Sequence, residues 1–440
     1  MIKKWIKYIG ISLGVLVICA TILYGGWRIW LNPYRETVTT FEISEELDTV
    51  LTGIEAADDL EFIVTRLRER HPACINDLPE AARKMYEQEY VKLSKEKNVT
   101  VLNLWQSAAQ VLACLGDAHT TVRPYYEDMK FLPLLFSWEE EDLICIGGEY
   151  EGYFVNKIDG IRVSQLYQRF KDQFSYELDA WARHAFASRI NRSDYLTFVG
   201  INTEGRIELS MKHPNDKNLI NKTFVFQEDE IATPSVLEPF YSYSIDIASN
   251  VGVFTLSQCI YNEEYRAAVE DFFIALQEEE VHNVILDLRG NPGGNSMVAN
   301  EFLTYLPVES YQTGSSRVRI GSFIRENQSI QAKNHQKEYV FSGSVYVLTS
   351  ADTFSSAMNF ATLLSDNGLC TVVGEIPGNM SSSYGDILSF QTPNAQLAFT
   401  VSYKYFTRPD ESKSDLPLIP DVEVPANDAM EKALQLIRNN

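Results

Sequence analysis

"LDLRGNPGGN", residues 286–295, ends an apolar run and opens a glycine-rich loop. The run before it, "VHNVILDL", lacks the polar alternation of a half-solvated strand and predicts a strand buried on both faces. A plain turn needs one or two of the residues that follow. This loop gathers Asp287, Arg289, Asn291, Asn295 and three glycines, Gly290, Gly293 and Gly294. Glycine lets a backbone come close to a ligand. Sites in open α/β sheets collect at the carboxyl ends of strands, where this loop would lie.

The surrounding chain supports such a sheet. From about residue 236, strand patterns ("GVFTLSQ", "VHNVILDL", "SVYVLTS", "CTVVGE") alternate with helical ones ("NEEYRAAVEDFFIALQEE", "SMVANEFLTYL", "FSSAMNFATLLSDN"). That order predicts crossover βα units on a largely parallel sheet. A hairpin over 384–406, a short strand "PDVEV" and a closing helix follow. A second strand end lies in "VLTSADTFSSAM", where Ser355 would stand at a strand-to-helix turn. The plain reading of Ser355, Ser356 or Thr353 there is an N-cap. "GNPGG" is neither the dinucleotide fingerprint GxGxxG nor a phosphate-binding loop ending in Gly-Lys-Ser/Thr.

At 440 residues, two or three domains are expected. The net charge of −22 gives no footprint for nucleic acid. Six scattered cysteines with no CxxC pair fit neither a zinc site nor a dense disulfide framework. At the N-terminus, Lys3, Lys4 and Lys7 precede a run without charge over 8–27. About 20 apolar residues suffice for one membrane-spanning helix. The lysines orient it N-in, which predicts a single-pass cell-membrane anchor with the remainder extracytoplasmic.

Residues 41–115 read as helical, with Ser44 as a candidate N-cap. Residues 130–230 mix short strands ("DLICIGG", "YFVNKI", "TFVGI", "RIELSMK", "KTFVFQ") with two helices. A serine nucleophile needs a base. Of six histidines, His119 lies in the turn "CLGDAHTTV", and His71 ends a helix before Pro72, where a C-terminal cap suffices. A lone histidine in such a turn is more often structural.

Together these stretches resemble the C-terminal processing and tricorn core protease family of serine peptidases. "VILDLRGNPGGN" is similar to its glycine loop, "VYVLTSADTFSSAMNFATLL" with "TVVGE" to its nucleophile unit, and "LGDAHT" to the histidine turn of the tricorn-type branch. "VNKIDGIRV" resembles late strands of a PDZ-like module, and "IPDVEV" the family's closing strand. The resemblance implies an α/β catalytic domain of ClpP/crotonase-like ββα units over 233–440. It also implies a helical region over 35–128 carrying the histidine turn, an inserted PDZ-like α+β module over 129–232, and the anchor in 1–34.

By the same resemblance, Ser355 is the nucleophile and His119 the base. The N–H groups of Ser356 and Gly293 form the oxyanion hole, with Gly294 close behind, and Asp287 and Arg289 support the loop. The lysine that many members use falls on Met380, which cannot take a proton, so an acid would assist His119. Asp415 is the candidate, with Glu411 and Asp410 near it. No metal or organic cofactor is implied. The partners would be a polypeptide substrate and the membrane; the oligomeric state is open. The implied activity is a serine endopeptidase forming an acyl-enzyme. A catalytically inactive relative that binds peptides or apolar ligands is the alternative, and an esterase on the same site a third reading.

Overall fold

The computed structural model describes residues 14, 16–21, 23–26, 32–216, 218–228 and 239–439. The predicted membrane span, 8–27, lies partly outside the described residues. Among the described residues no helix is long and apolar enough to cross a membrane.

The region before residue 120 carries three helices, α1 (Gly53–Arg70), α2 (Glu80–Lys95) and α3 (Val101–Ala113). The cap of α1 is Thr52, not Ser44. The Thr52 hydroxyl accepts the Glu55 N–H, and the Glu55 carboxylate accepts the Thr52 N–H at 2.8 Å, a reciprocal box that Ser44 has no partner to make. Ser44 is buried instead, and its hydroxyl donates to the Gln396 carbonyl.

An antiparallel sheet follows, β1 (Leu135–Glu139), β2 (Asp142–Ile146), β3 (Phe154–Ile158), β4 (Arg206–Lys212) and β5 (Leu219–Val225), in that spatial order. Helices α4 (Val163–Lys171), α5 (Asp179–Ala187) and α6 (Ser193–Phe198) lie between β3 and β4 in sequence. Residues 197–201, "TFVGI", are not the expected strand but the end of α6 and the turn after it. Packing overrides their strand-like composition, because Tyr195 and Phe198 set their rings against Trp105 at 5.4 and 4.2 Å. These strands and helices share one apolar core with α1–α3. The structure does not by itself identify the module as PDZ-like.

The crossover pattern folds as expected. The main sheet runs β6 (Tyr241–Asp246), β7 (Val251–Leu256), β8 (Asn283–Asp287), β11 (Ser344–Thr349), β12 (Thr371–Gly374), β15 (Val422–Glu423). Only the β6–β7 pair is antiparallel; the others are parallel. Both faces are covered, which explains the unbroken apolar runs. Val284, Leu286, Val345 and Val347 pack with α7 (Glu263–Glu278), α8 (Met297–Leu303) and α9 (Ser356–Asp366). Ile285, Tyr346 and Leu348 face the closing helix α10 (Ala429–Asn439).

A second sheet, absent from the sequence reading apart from its hairpin, orders β10 (Phe323–Asn327), β9 (Ser316–Ile320), β14 (Ala398–Phe406), β13 (Ser383–Gln391). The pair Val122–Arg123 adds to β14, and the Thr400 hydroxyl donates to the His119 carbonyl at 2.7 Å. That attachment fixes the histidine turn beside the end of the main sheet.

Candidate active site

Ser355 occupies the sharp turn between β11 and α9 at φ +53°, ψ −121°. A non-glycine residue held there is strained, which is how a nucleophile is kept exposed above a sheet. Its side chain makes no capping bond, so the plain N-cap reading does not hold. Its N–H instead donates to Asn379 Oδ1 at 2.8 Å. The Ser356 hydroxyl is tied to the Gly294 carbonyl at 2.7 Å, leaving Ser355 as the free hydroxyl of the two.

The glycine loop packs directly on this turn. A Cβ on Gly293 would stand 2.8 Å from Ser355 Cβ and 2.9 Å from the Ser356 nitrogen, so only glycine fits. Asp287 and Arg289 are paired within the loop. Arg289 donates from Nε and Nη2 to the two Asp287 oxygens at 2.9 and 2.7 Å, and from Nη1 to the Ala426 carbonyl at 2.7 Å.

The choice of Gly293 as oxyanion donor is corrected by its partner. Its N–H donates to Asn291 Oδ1 at 2.9 Å and is already engaged. Gly294 lies between two backbone bonds to Cys259, and its own N–H has no acceptor among the described residues. The Ser356 N–H, at the first turn of α9, is equally free there. Gly294 and Ser356 both line a cavity of about 680 Å³ with Ser355 and His119; Gly293 does not.

His119 and Ser355, 236 residues apart in sequence, line the same cavity. Its ring lies 4.7 Å from that of Phe354, the neighbour of Ser355. Among the described residues both ring nitrogens are buried without a hydrogen-bond partner, Ser355 included. Nδ1 lies 3.8 Å from Asp117 Oδ1, while a Cβ on cavity-lining Gly385 would stand 4.0 Å from Nε2. Nδ1 thus faces the acid and Nε2 the cavity. Burial lowers the imidazole from its ordinary 6.5, against the pull of the Asp117 and Asp386 charges, so the neutral, proton-accepting form prevails at neutral pH.

The acid beside His119 is not Asp415. Asp415 is exposed in the turn after Glu411–Lys413 and does not line the cavity. Two other carboxylates take that place. Asp117, fully buried, accepts from Thr120 Oγ1 at 2.5 Å and pairs with His71 Nε2 at 3.1 Å. Burial alone would raise its carboxyl, but the His71 hydrogen bond, both imidazoles and Thr120 bring it down to about 2. His71 does end α1, but it also accepts the Ala73 N–H on Nδ1, a role beyond the expected cap.

The second carboxylate, Glu177, precedes α5. It is pushed up to about 8, first by burial and then by the Asp117 charge. The donor atoms of Asp117, His119 and Glu177 lie within 4.8 Å of one another, so these three residues could hold a metal ion. Sequence reasoning missed Glu177 and Asn379 and named Asn291 only as a residue of the glycine loop. Asp117 alone left a signal, as the acid of the histidine turn.

Residues 250–424 match the model of peptidase family S41. That match supports a serine-type peptidase, a class of hydrolases, with the matched segment holding both the glycine loop and Ser355. Among solved structures, it is similar to mature CPAF, at TM-score 0.66 and 14% identity over 88% of this chain and 98% of that one. It is also similar to mature CPAF complexed with lactacystin, at TM-score 0.65 and 14% identity over 88% and 99%. A peptidase candidate from Parabacteroides merdae matches at TM-score 0.50 and 15% identity over 87% and 96%. At such identities the likeness concerns the fold.

Proposed function

We propose that the chain is an active serine endopeptidase that cleaves polypeptides through an acyl-enzyme on Ser355. The observation that carries this reading is the strained, uncapped Ser355 facing one cavity with His119 and two free N–H groups. His119 Nε2 takes the hydroxyl proton as Ser355 Oγ attacks the peptide carbonyl. Asp117 steadies the imidazolium from the Nδ1 side. The N–H groups of Ser356 and Gly294 hold the oxyanion; one such donor is worth about 10²–10³ in rate. His119 returns its proton to the leaving amine, and water then releases the acyl group. The open Ser–His geometry must tighten when substrate binds, as catalytic hydrogen bonds often do.

A fluorophosphonate probe on the folded protein tests this, with lactacystin, bound in one CPAF structure, as a second probe. Labelling at Ser355 that vanishes in Ser355→Ala and His119→Ala is expected. A folded protein that takes neither probe and cleaves no peptide would favour the rival, an inactive relative binding peptides. The unpartnered imidazole and Met380 at the lysine place are the observations on that side. Faster turnover of esters than of peptides would favour the esterase reading.

The uncharged run over 8–27 after three lysines supports a single-pass anchor with the peptidase extracytoplasmic. Release from membranes by alkaline carbonate would overturn it. The sheet β1–β5 with its helices is read as a PDZ-like module that takes the substrate as an added strand.

A further inference from the structure

Glu177 reaches the site from the inserted module, which holds neither the nucleophile nor the base. Its Oε1 accepts the Ala118 N–H at 3.4 Å, and Ala118 sits between Asp117 and His119. Its Oε2 accepts the Met380 N–H at 2.9 Å. Asn379, one residue earlier, accepts the Ser355 N–H on Oδ1 and donates from Nδ2 to Ser383 Oγ at 3.1 Å. One carboxylate therefore joins the turn of the base to the loop under the nucleophile. The same segment adds two further contacts. The Ser175 hydroxyl donates to the Asp117 carbonyl at 2.6 Å. Trp181 stacks on Phe354 at 4.2 Å, and Phe354 in turn carries the His119 ring.

We propose that Glu177 is a positioning residue that sets the register of His119 against Ser355. No other described side chain hydrogen-bonds the backbone of both loops. Met380, which stands where the family lysine would, contributes its backbone to this bridge. The proposal rests on the peptidase reading of Ser355 and His119. Its physical basis is the steep cost of misplacing a base: about 1 Å can cost 10²-fold in rate. An ionised carboxylate accepts on both oxygens, whereas a carboxylic acid accepts well on one. The groups facing Glu177 are Asp117 and His119 on the histidine turn, with Arg317, Tyr384 and Tyr405 around the adjoining cavity and Tyr176 beside it in sequence.

Glu177→Gln keeps the shape but offers one acceptor, and its amide opposes the second N–H. On a peptide substrate, kcat is expected to fall about 10–100-fold while KM changes less than about threefold. An unchanged kcat, or a loss confined to KM, would overturn the proposal. If the parent shows no Ser355-dependent turnover, the peptidase reading fails, and amide hydrogen exchange then tests the bridge by itself. Faster exchange in Glu177→Gln at Ala118 and Met380 together, with the rest of the chain unchanged, supports it; unchanged exchange at both overturns it.

Discussion

Asn291 Oδ1 accepts the Gly293 N–H at 2.9 Å, and Asn291 Nδ2 donates to the Leu256 carbonyl at 2.8 Å. This fully buried side chain ties the glycine loop to the end of β7 and engages the Gly293 N–H, while the Gly294 N–H has no acceptor among the described residues. Asn291→Ala would leave a donor and an acceptor unpaired, at about 1–3 kcal/mol for each. Urea unfolding should show that loss, and fluorophosphonate labelling of Ser355 should slow under conditions where the variant is still folded. A variant as stable and as reactive as the parent would mean that the loop is held elsewhere.

Asp117 and Asp415 make opposite forecasts for the same substitution. Asp117 lies 3.8 Å from His119 Nδ1 and is buried; Asp415 is exposed outside the cavity. Asp117→Asn should lower kcat/KM by about 10² or more, because the amide no longer stabilises the imidazolium or fixes its tautomer. Asp415→Asn should stay within about twofold, as for an exposed charge far from the chemistry. The reverse ranking would restore the assignment made from resemblance.

These two carboxylates also show where sequence reading stops. The strand ends at Asp287 and Thr349 were legible because buried parallel strands leave unbroken apolar runs and their loops concentrate glycine and serine. His119 was legible as a turn residue, and Asp117 stands in the same six-residue stretch. Glu177 lies 59 residues from Ala118 and 203 from Met380, in a stretch with no motif of its own. Only the packing of α5 on the nucleophile turn brings it in, and no local pattern encodes that. Gly293 and Gly294 are indistinguishable in sequence. Which N–H is free depends on the Asn291 side chain.

The titration of Glu177 predicts a pH dependence of stability. Its carboxyl is raised from an ordinary 4.5 to about 8, so the folded protein keeps a proton that the unfolded chain releases. Its contribution to stability is therefore full below about pH 4.5 and is lost as pH rises towards 8. Glu177→Gln removes that dependence, so its melting temperature should gain on the parent as pH rises from 4.5 to 8. Asp117 acts in the opposite sense. Its depressed carboxyl stabilises the fold above about 3.8, and that contribution is lost as pH falls towards 2. A gap between parent and variant that stays constant across pH 4.5–8 would mean that Glu177 does not hold its proton in the folded state.

Met380 offers a test of whether a lysine could take over from His119. Its side chain lines a second cavity, of about 600 Å³, with Glu177, Arg317 and Tyr405, and does not line the cavity that holds Ser355. A lysine placed there would meet the Glu177 carboxylate before it met Ser355 Oγ. An ammonium beside Glu177 would favour its ionised form and lower its carboxyl. Met380→Lys in a His119→Ala background should therefore remain at background on peptide and unlabelled by fluorophosphonate. Met380→Lys alone should keep activity within about tenfold of the parent, because its side chain lies outside the cavity of Ser355. Recovery of labelling in the double variant would mean that the lysine reaches Ser355 and that the nucleophile loop can adopt the geometry of a Ser–Lys dyad.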